Sequence, residues 1–120
     1  MQSNLLLKTM KNIIIKLQVE GVHRWSKCNI DEVSYLINSH RHIFHVVCKK
    51  EVTDNDREIE IIQFKHQILD FLKYRYYRER ERLHDFEGLS CEMIAQLLFE
   101  EFELSYCSVL EDNENGAEIS

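Results

Sequence analysis

The chain has 120 residues, of which 44% are hydrophobic and 30% are charged, a size and balance typical of one soluble domain with a modest core. Its formal net charge of −6 with neutral histidines argues against a general nucleic-acid-binding protein, which needs a basic surface. No apolar run approaches the roughly 20 residues that a bilayer-spanning helix requires, so we expect no membrane partner.

The chain contains four cysteines, and no two of them have the CxxC spacing. This scatter is typical neither of a disulfide framework nor of a zinc ribbon. We therefore expect reduced thiols and a cytoplasmic protein. The cysteines are Cys28, Cys48, Cys91 and Cys107.

The N-terminal half predicts a leader followed by two β-strands. Residues 1–11 are predicted to be a flexible leader, and residues 12–120 a single domain. β-Branched residues and a late alternation favour a strand at residues 13–21, and residues 44–52 have the composition of a second strand. The polar segment 53–56 has turn and helix-cap chemistry and separates this strand from the next element.

The C-terminal half predicts two helices and then two strands. Apolar residues recur with a mostly helical spacing over residues 59–77, and Ser90 is a good N-cap for a second helix over residues 91–102. Residues 104–110 favour a third strand, and the Asn-Gly pair at 115–116 favours a primed hairpin turn into a short fourth strand. The predicted class is α+β, in ββααββ order, with an antiparallel sheet and two helices packed on one face.

The segment SHRHIFHVVCKK at residues 39–50 places three histidines within six residues. In a strand, residues i and i+2 point to the same face, so His40 and His42 are expected to project together if strand pairing already begins there. Their nitrogens can then converge on one cation, such as Zn²⁺ with bonds of about 2.0–2.1 Å. His23, at the end of the first strand, is the candidate third ligand if the two strands are hairpin neighbours. The alternative is a set of exposed or hydrogen-bonded histidines, because a His-x-His pair alone is a weak signal.

Five short motifs follow one another along the chain: EGVHRW at residues 20–25, HRHIFHV at 40–46, EIIQFK at 60–65, LSCEMIA at 89–95 and VLE at 109–111. Together they resemble motifs of the 6-pyruvoyl-tetrahydropterin synthase and 6-carboxy-tetrahydropterin synthase family, whose architecture is the tunnelling fold. The resemblance runs through almost the whole predicted domain and implies the same ββααββ plan. Arg41 stands where the family has a glycine between its two histidines.

The resemblance implies a zinc site and a pterin site. Zinc would be bound by His23, His40 and His42. Glu111 would anchor a pterin ring, because a carboxylate can accept two parallel hydrogen bonds from an N–C–N edge. The ligand-binding set that we predict also contains Ser90, Glu92, Arg41 and Arg57.

The two arginines of this set are candidates for binding a phosphate group of the ligand. A guanidinium can hold a phosphate through a forked pair of hydrogen bonds. The alternative for both is a solvated surface charge, and strand alternation from His40 and His42 favours an outward direction for Arg41.

The resemblance is weakest at the expected catalytic residues. The family's enzymes commonly carry a cysteine about four residues before the His-x-His pair, and Leu36 stands there. Cys28, five residues after His23, is a candidate nucleophile or base that a longer loop would have to bring in. His84 and Asp85 are nearest to the family's Asp-His pair, in reversed order, and a histidine with its ordinary pKa of about 6.5 can act as acid or base.

Two functions follow from the resemblance as expectations. The first is a zinc-dependent lyase that acts on the side chain of a dihydropterin triphosphate. The alternative is a non-catalytic protein, of viral or defence-related kind, that sequesters a pterin-, purine- or nucleotide-type signal. The family assembles as trimers stacked into hexamers, so a homo-oligomer is also implied. A third interpretation is an interaction protein whose histidines are merely structural.

Overall fold

A computed structural model describes residues 9–120 of the chain. Residues 1–8 of the predicted leader lie outside this range, and Lys11 already belongs to the first strand. The helices are α1 (Ile61–Tyr76), α2 (Cys91–Glu101) and a 3₁₀-helix (Asp31–Ile37). The strands are β1 (Lys11–His23), β2 (His40–Val52), β3 (Tyr77–Arg78), β4 (Leu83–Asp85), β5 (Tyr106–Glu111) and β6 (Asn115–Ile119).

The strands form one six-stranded sheet in the order β3-β4-β1-β2-β5-β6. Antiparallel pairing joins β1 to β2, β2 to β5 and β5 to β6. β4 instead runs parallel to β1. The α+β class is thus confirmed, but the sheet is mixed, and the prediction of a purely antiparallel sheet was wrong. The cause is α1, which carries the chain along the sheet before the β3–β4 hairpin joins the free edge of β1, as a helical crossover allows.

Two boundaries differ from the sequence prediction in ways that affect the site. β2 begins at His40 rather than at residue 44, because its first residues pair with the end of β1. α1 begins at Ile61 because the Glu60 carboxylate accepts hydrogen bonds from the backbone N–H groups of Ile62 and Gln63, which is the usual role of an N-cap.

The core lies between the helices and one face of the sheet. Along β1 and β2, buried side chains alternate with more exposed ones, as expected for a strand with one covered face. Both helices contribute to the same apolar cluster, so they pack on the same face of the sheet, as predicted. The cluster includes Ile15, Leu17, Val19, Phe44, Val46, Cys48, Phe64, Ile68, Leu72, Ile94, Ala95, Leu98 and Val109.

The β5–β6 turn differs from its prediction. Positive φ angles occur at Asp112 (55°) and Asn113 (60°), and Glu114 N donates to Glu111 O at 2.9 Å. Positive φ at both central residues is the mark of a primed turn, so this turn precedes the Asn-Gly pair. Gly116 lies within β6, where an added Cβ would come within 2.7 Å of the Cα of Leu110.

Gly21 in β1 allows an aromatic ring to cover the strand. Phe86 is 1% exposed and packs edge-to-face on Phe44 with ring centroids 5.0 Å apart. A Cβ on Gly21 would lie 2.8 Å from the Phe86 ring and 3.0 Å from the backbone oxygen of His84. Any side chain at this position would therefore push Phe86 or the β4 backbone away from β1.

We expect Gly21→Ala to lower the free energy of unfolding by about 1–3 kcal/mol, because the added methyl group overpacks this contact. Gly88→Ala is the matched control: its Cβ would have Arg24 O, 4.0 Å away, as nearest neighbour, and should change stability by less than about 0.5 kcal/mol. Urea denaturation measures both variants. Equal stability of the two would contradict the packing role of Gly21.

Candidate metal centre

β1 and β2 bring three histidines to one end of the helix-covered face. In their antiparallel register His23 lies opposite His40, and Gly21 lies opposite His42. The ring centroids of His23 and His40 are 4.6 Å apart, those of His40 and His42 5.1 Å, and those of His23 and His42 5.5 Å. The structure therefore brings together the three side chains that the sequence suggested as metal ligands.

β5 adds a carboxylate to this cluster. Glu111 pairs with Phe44 of β2, two residues from His42. Its Oε2 atom lies 2.9 Å from His23 Nε2, and its Oε1 atom lies 3.5 Å from His42 Nε2. One ligand atom from each of the four side chains lies within 4.8 Å of all the others. We call His23, His40, His42 and Glu111 the ligand group; it could hold a metal ion.

Each histidine of the ligand group is held through its Nδ1 atom. His23 Nδ1 lies 2.8 Å from Leu89 O, His40 Nδ1 lies 2.9 Å from Asn38 O, and His42 Nδ1 lies 2.8 Å from Asp112 Oδ2. Because these oxygens only accept, Nδ1 carries the proton and donates it in each ring. In the neutral imidazole this leaves the lone pair on Nε2, the arrangement by which proteins orient metal-binding histidines.

The Nε2 atoms of His23 and His42 are both buried, and neither has a hydrogen-bond partner within residues 9–120. A buried polar atom left in this state costs about 1–3 kcal/mol. A cation bound by these lone pairs would remove that cost. Three imidazole nitrogens and one carboxylate oxygen suit zinc and other first-row divalent ions, so the residues fit a metal.

Asp112 holds His42 in place and was missed in the sequence. Its Oδ2 accepts from His42 Nδ1, and its Oδ1 accepts from the backbone N–H of Ile43 at 3.0 Å. The hydrogen bond from His42 and the one from Ile43 lower the pKa of this carboxyl group. An acidic residue directly after a strand was the available signal, but only the β2–β5 register shows which histidine it contacts.

A cavity of about 430 Å³ opens beside the ligand group. Leu36 is on its wall, and the backbone bond from Trp25 N to Leu36 O, 2.7 Å long, fixes the loop there. The N-terminus of α2 also lines the cavity, and there Ser90 accepts a hydrogen bond from Met93 N at 3.2 Å. The other lining residues are His23, Arg24, His40, Gly88, Leu89, Cys91, Glu92, Glu111, Asn115 and Gly116.

Of the predicted ligand-binding residues, three line the cavity and two do not. Glu111, Ser90 and Glu92 are on its wall. Arg41 lies 2.6 Å from Glu20 in an exposed ion pair, on the opposite face from the two flanking histidines, as alternation predicted. Arg57 is exposed and pairs with Asp56.

The three predicted catalytic residues lie away from the cavity wall. Cys28 Sγ is 3.6 Å from the backbone oxygen of Val33. His84, on β4, contacts Glu20 O through Nδ1 at 3.3 Å, and burial lowers its pKa. Asp85 Oδ1 accepts from Glu87 N at 2.9 Å in a local turn.

Cys91 is the thiol that does line the cavity. Its Sγ atom donates to Glu111 Oε2 at 3.7 Å. Burial first, and then the negative charge of Glu111, raise the pKa of the Cys91 thiol to about 12. It therefore stays a thiol at neutral pH and is a poor nucleophile there.

No protein-family model and no curated protein matches this sequence. The resemblance to the tetrahydropterin synthase family is therefore carried by the sequence motifs alone.

Within residues 9–120, none of the helices combines the length and the apolar character needed to cross a bilayer.

We expect Asp112→Asn to weaken binding of a divalent metal by about tenfold or more, the usual effect of removing a partner that orients a metal-binding histidine. Asparagine tolerates the positive φ of this position, so the turn is retained. Competition with a chromophoric chelator measures the affinity. Asp70→Asn, at an exposed position of α1, is the control and should bind metal as the original chain does. Unchanged affinity in Asp112→Asn would contradict the positioning role.

We expect iodoacetamide at pH 8 to modify Cys28 well before Cys91 in the folded protein. Cys28 is partly exposed, whereas Cys91 is buried and its pKa of about 12 keeps it protonated. Peptide mass spectrometry gives the order of modification, and the denatured chain, in which all four cysteines should react, is the control. Equally fast modification of Cys91 would show that its thiol is more acidic than its surroundings imply.

Proposed function

We propose that this chain is a divergent tunnelling-fold protein that holds zinc with His23, His40 and His42 and binds a pterin- or purine-like small molecule in the adjacent cavity. One observation carries the proposal. All three histidines have Nδ1 engaged by a fixed acceptor, which turns the three Nε2 atoms into a common ligand group next to a cavity of about 430 Å³. That volume lies in the range of small-molecule sites.

The convergence of separate motifs supports the family part of the proposal. Four of the five motifs that carry the resemblance are far apart in sequence, yet each contributes a side chain to the cavity wall. A chance likeness of short motifs would not require them to meet at one place. The contributing residues include His23, His40, Ser90 and Glu111.

The cavity also suits a flat, partly polar ligand. The Trp25 ring, 43% exposed, offers an apolar surface at the cavity, and aromatic faces stack on planar heterocycles. Arg24 lines the same cavity and offers a positive charge to a phosphorylated ligand. These contacts would position a pterin or purine ring, with its phosphates if present, against the ligand group.

As a lyase, this site would use zinc to polarise an oxygen of the substrate. The chain's own residues would bind and orient the dihydropterin triphosphate and move its protons. Glu92 and Glu111 are the acidic groups on the cavity wall. His84 and Asp85 would have to act from β4, on the far side of β1.

Sequestration without turnover is the second candidate function, and Leu36 favours it. The side chain at the position expected to carry a catalytic cysteine is an alkyl group on the cavity wall. Cys91, a thiol on the cavity wall, is held protonated by its raised pKa. A cavity that binds the ligand without these groups would retain it unchanged.

We also propose that the chain forms a homo-oligomer, a trimer or hexamer, in the cytoplasm. The face of the sheet opposite the helices exposes Ile14 (53%) and Ile43 (45%), and β6 ends the sheet as an edge strand. Exposed edges and apolar side chains are surfaces that a second copy can cover. Sedimentation of the purified protein measures its state, and a strict monomer would contradict this assignment.

To test the function, the zinc-loaded protein is incubated with dihydroneopterin triphosphate while binding and products are followed. We expect His42→Ala to abolish both the binding of dihydroneopterin triphosphate and its turnover, because the substitution removes one of three nitrogen ligands of the zinc ion. His45→Ala is the matched control, since His45 lies on the same strand with its side chain directed to the other face. Turnover supports the lyase, and tight binding without products supports sequestration. Absence of both would contradict the proposed function.

A further inference from the structure

The two carboxylate oxygens of Glu111 each lie close to a histidine nitrogen atom of the ligand group. Its Oε2 atom is 2.9 Å from His23 Nε2 and its Oε1 atom is 3.5 Å from His42 Nε2. The contact with His23 lacks the geometry of a hydrogen bond, and both nitrogen atoms are buried without a hydrogen-bond partner within residues 9–120. The carboxylate therefore faces the same point as the lone pairs.

With a neutral imidazole, such a contact is unfavourable unless the two atoms share a cation. His23 Nδ1 donates its proton to Leu89 O, so the Nε2 of the neutral ring presents a lone pair. A carboxylate oxygen 2.9 Å away is also an acceptor, and two acceptors repel each other in a buried place. His23 is 7% exposed, so water cannot easily relieve this repulsion. A metal ion between the two atoms turns the repulsion into two bonds.

We propose that Glu111 is the fourth ligand of the bound metal and that an incoming small molecule displaces it. This inference rests on the proposed metal site. A tetrahedral shell with bonds of about 2.0–2.2 Å has donor atoms about 3.4 Å apart. The ligand group, with all four donor atoms within 4.8 Å of one another, needs only small side-chain shifts to reach it. The ligand-free centre is then closed, with no water on the metal.

Glu111 is the member of the ligand group that can leave. The three imidazoles are each held by a hydrogen bond of 2.8 to 2.9 Å from Nδ1. Outside the ligand group, the Glu111 carboxylate is contacted by the Cys91 thiol at 3.7 Å, and a thiol is a weak donor. The Glu111 side chain is 30% exposed and lines the cavity, so it has room to turn.

The exchange defines the class of ligand that this site selects. A molecule that opens the centre must bring an oxygen donor to the metal in place of the carboxylate. Once released, Glu111 can accept hydrogen bonds from N–H groups of the same molecule. The preferred ligand therefore carries a metal-binding oxygen close to an edge with two N–H donors. One carboxylate cannot serve both roles at once. The release of Glu111 from the metal is therefore coupled to its recognition of the ligand's N–H edge.

The test uses cobalt(II) in place of zinc and azide as the probe anion. The visible spectrum of cobalt reports the number of its ligands, and azide binds where a position is open or weakly held. We expect Glu111→Gln and Glu111→Ala to bind azide at least about tenfold more tightly than the original chain and to change the cobalt spectrum before azide is added. Glu114→Gln, in the same β5–β6 hairpin, is the matched control and should behave as the original chain.

A measurement on the original chain makes the test independent of the variants. Relaxation of solvent water protons detects water bound to cobalt, and a closed centre should show no such water. Metal-bound water in the original chain, or azide affinity unchanged in both Glu111 variants, would overturn the role of Glu111 while leaving the histidine site intact. Failure of the original chain to bind cobalt would instead refute the proposed metal site, and this inference with it.

Discussion

The long antiparallel pairing of β1 with β2 is the constraint on which the rest of the structure depends. The two strands pair from Lys11↔Val52 to His23↔His40, 13 residues in each strand. A slip of one residue would turn every side chain of a strand to the opposite face. The buried side chains near the middle of the pairing, such as Leu17 and Val46, prevent that slip because exposing them would cost hydrophobic free energy. The core therefore aligns the histidines at the end of the same ladder.

The pairing of β5 with β2 positions carboxylates beside the histidines in the same way. This pairing places Glu111 opposite Phe44 and next to His42. The following residue, Asp112, begins a primed turn and reaches back to His42 and to the Ile43 backbone. Two consecutive carboxylates thus act on one centre, one among the ligand atoms and one behind a histidine. Groups held by paired strands and a tight turn are placed more precisely than groups on long loops.

The residues of the ligand group lie at the cavity, whereas the acid–base pair that the resemblance suggests lies outside it. Three residues of the ligand group, the N-terminus of α2 and the Trp25 ring line the same cavity. His84 is across β1, packed against Phe86 and buried enough that its pKa falls. At Cys91, a thiol on the cavity wall, burial and the nearby Glu111 charge raise the pKa instead. The cavity therefore gathers residues of the ligand group on its wall, whereas the predicted acid–base residues His84 and Asp85 lie outside it.

The sequence by itself determined the long strands, both α-helices and the choice of three histidines as candidate metal ligands. Apolar alternation and helical spacing depend on neighbouring residues, so β1, β2, both helices and the shared face of His40 and His42 were predictable. The tertiary structure decided what depends on distant pairing: that His23 lies opposite His40, that Glu111 enters the ligand group, and that Asp112 holds His42. It also decided that β4 joins β1 in parallel. Register, sheet order and burial arise between segments far apart in the chain, and no local pattern of residues encodes them.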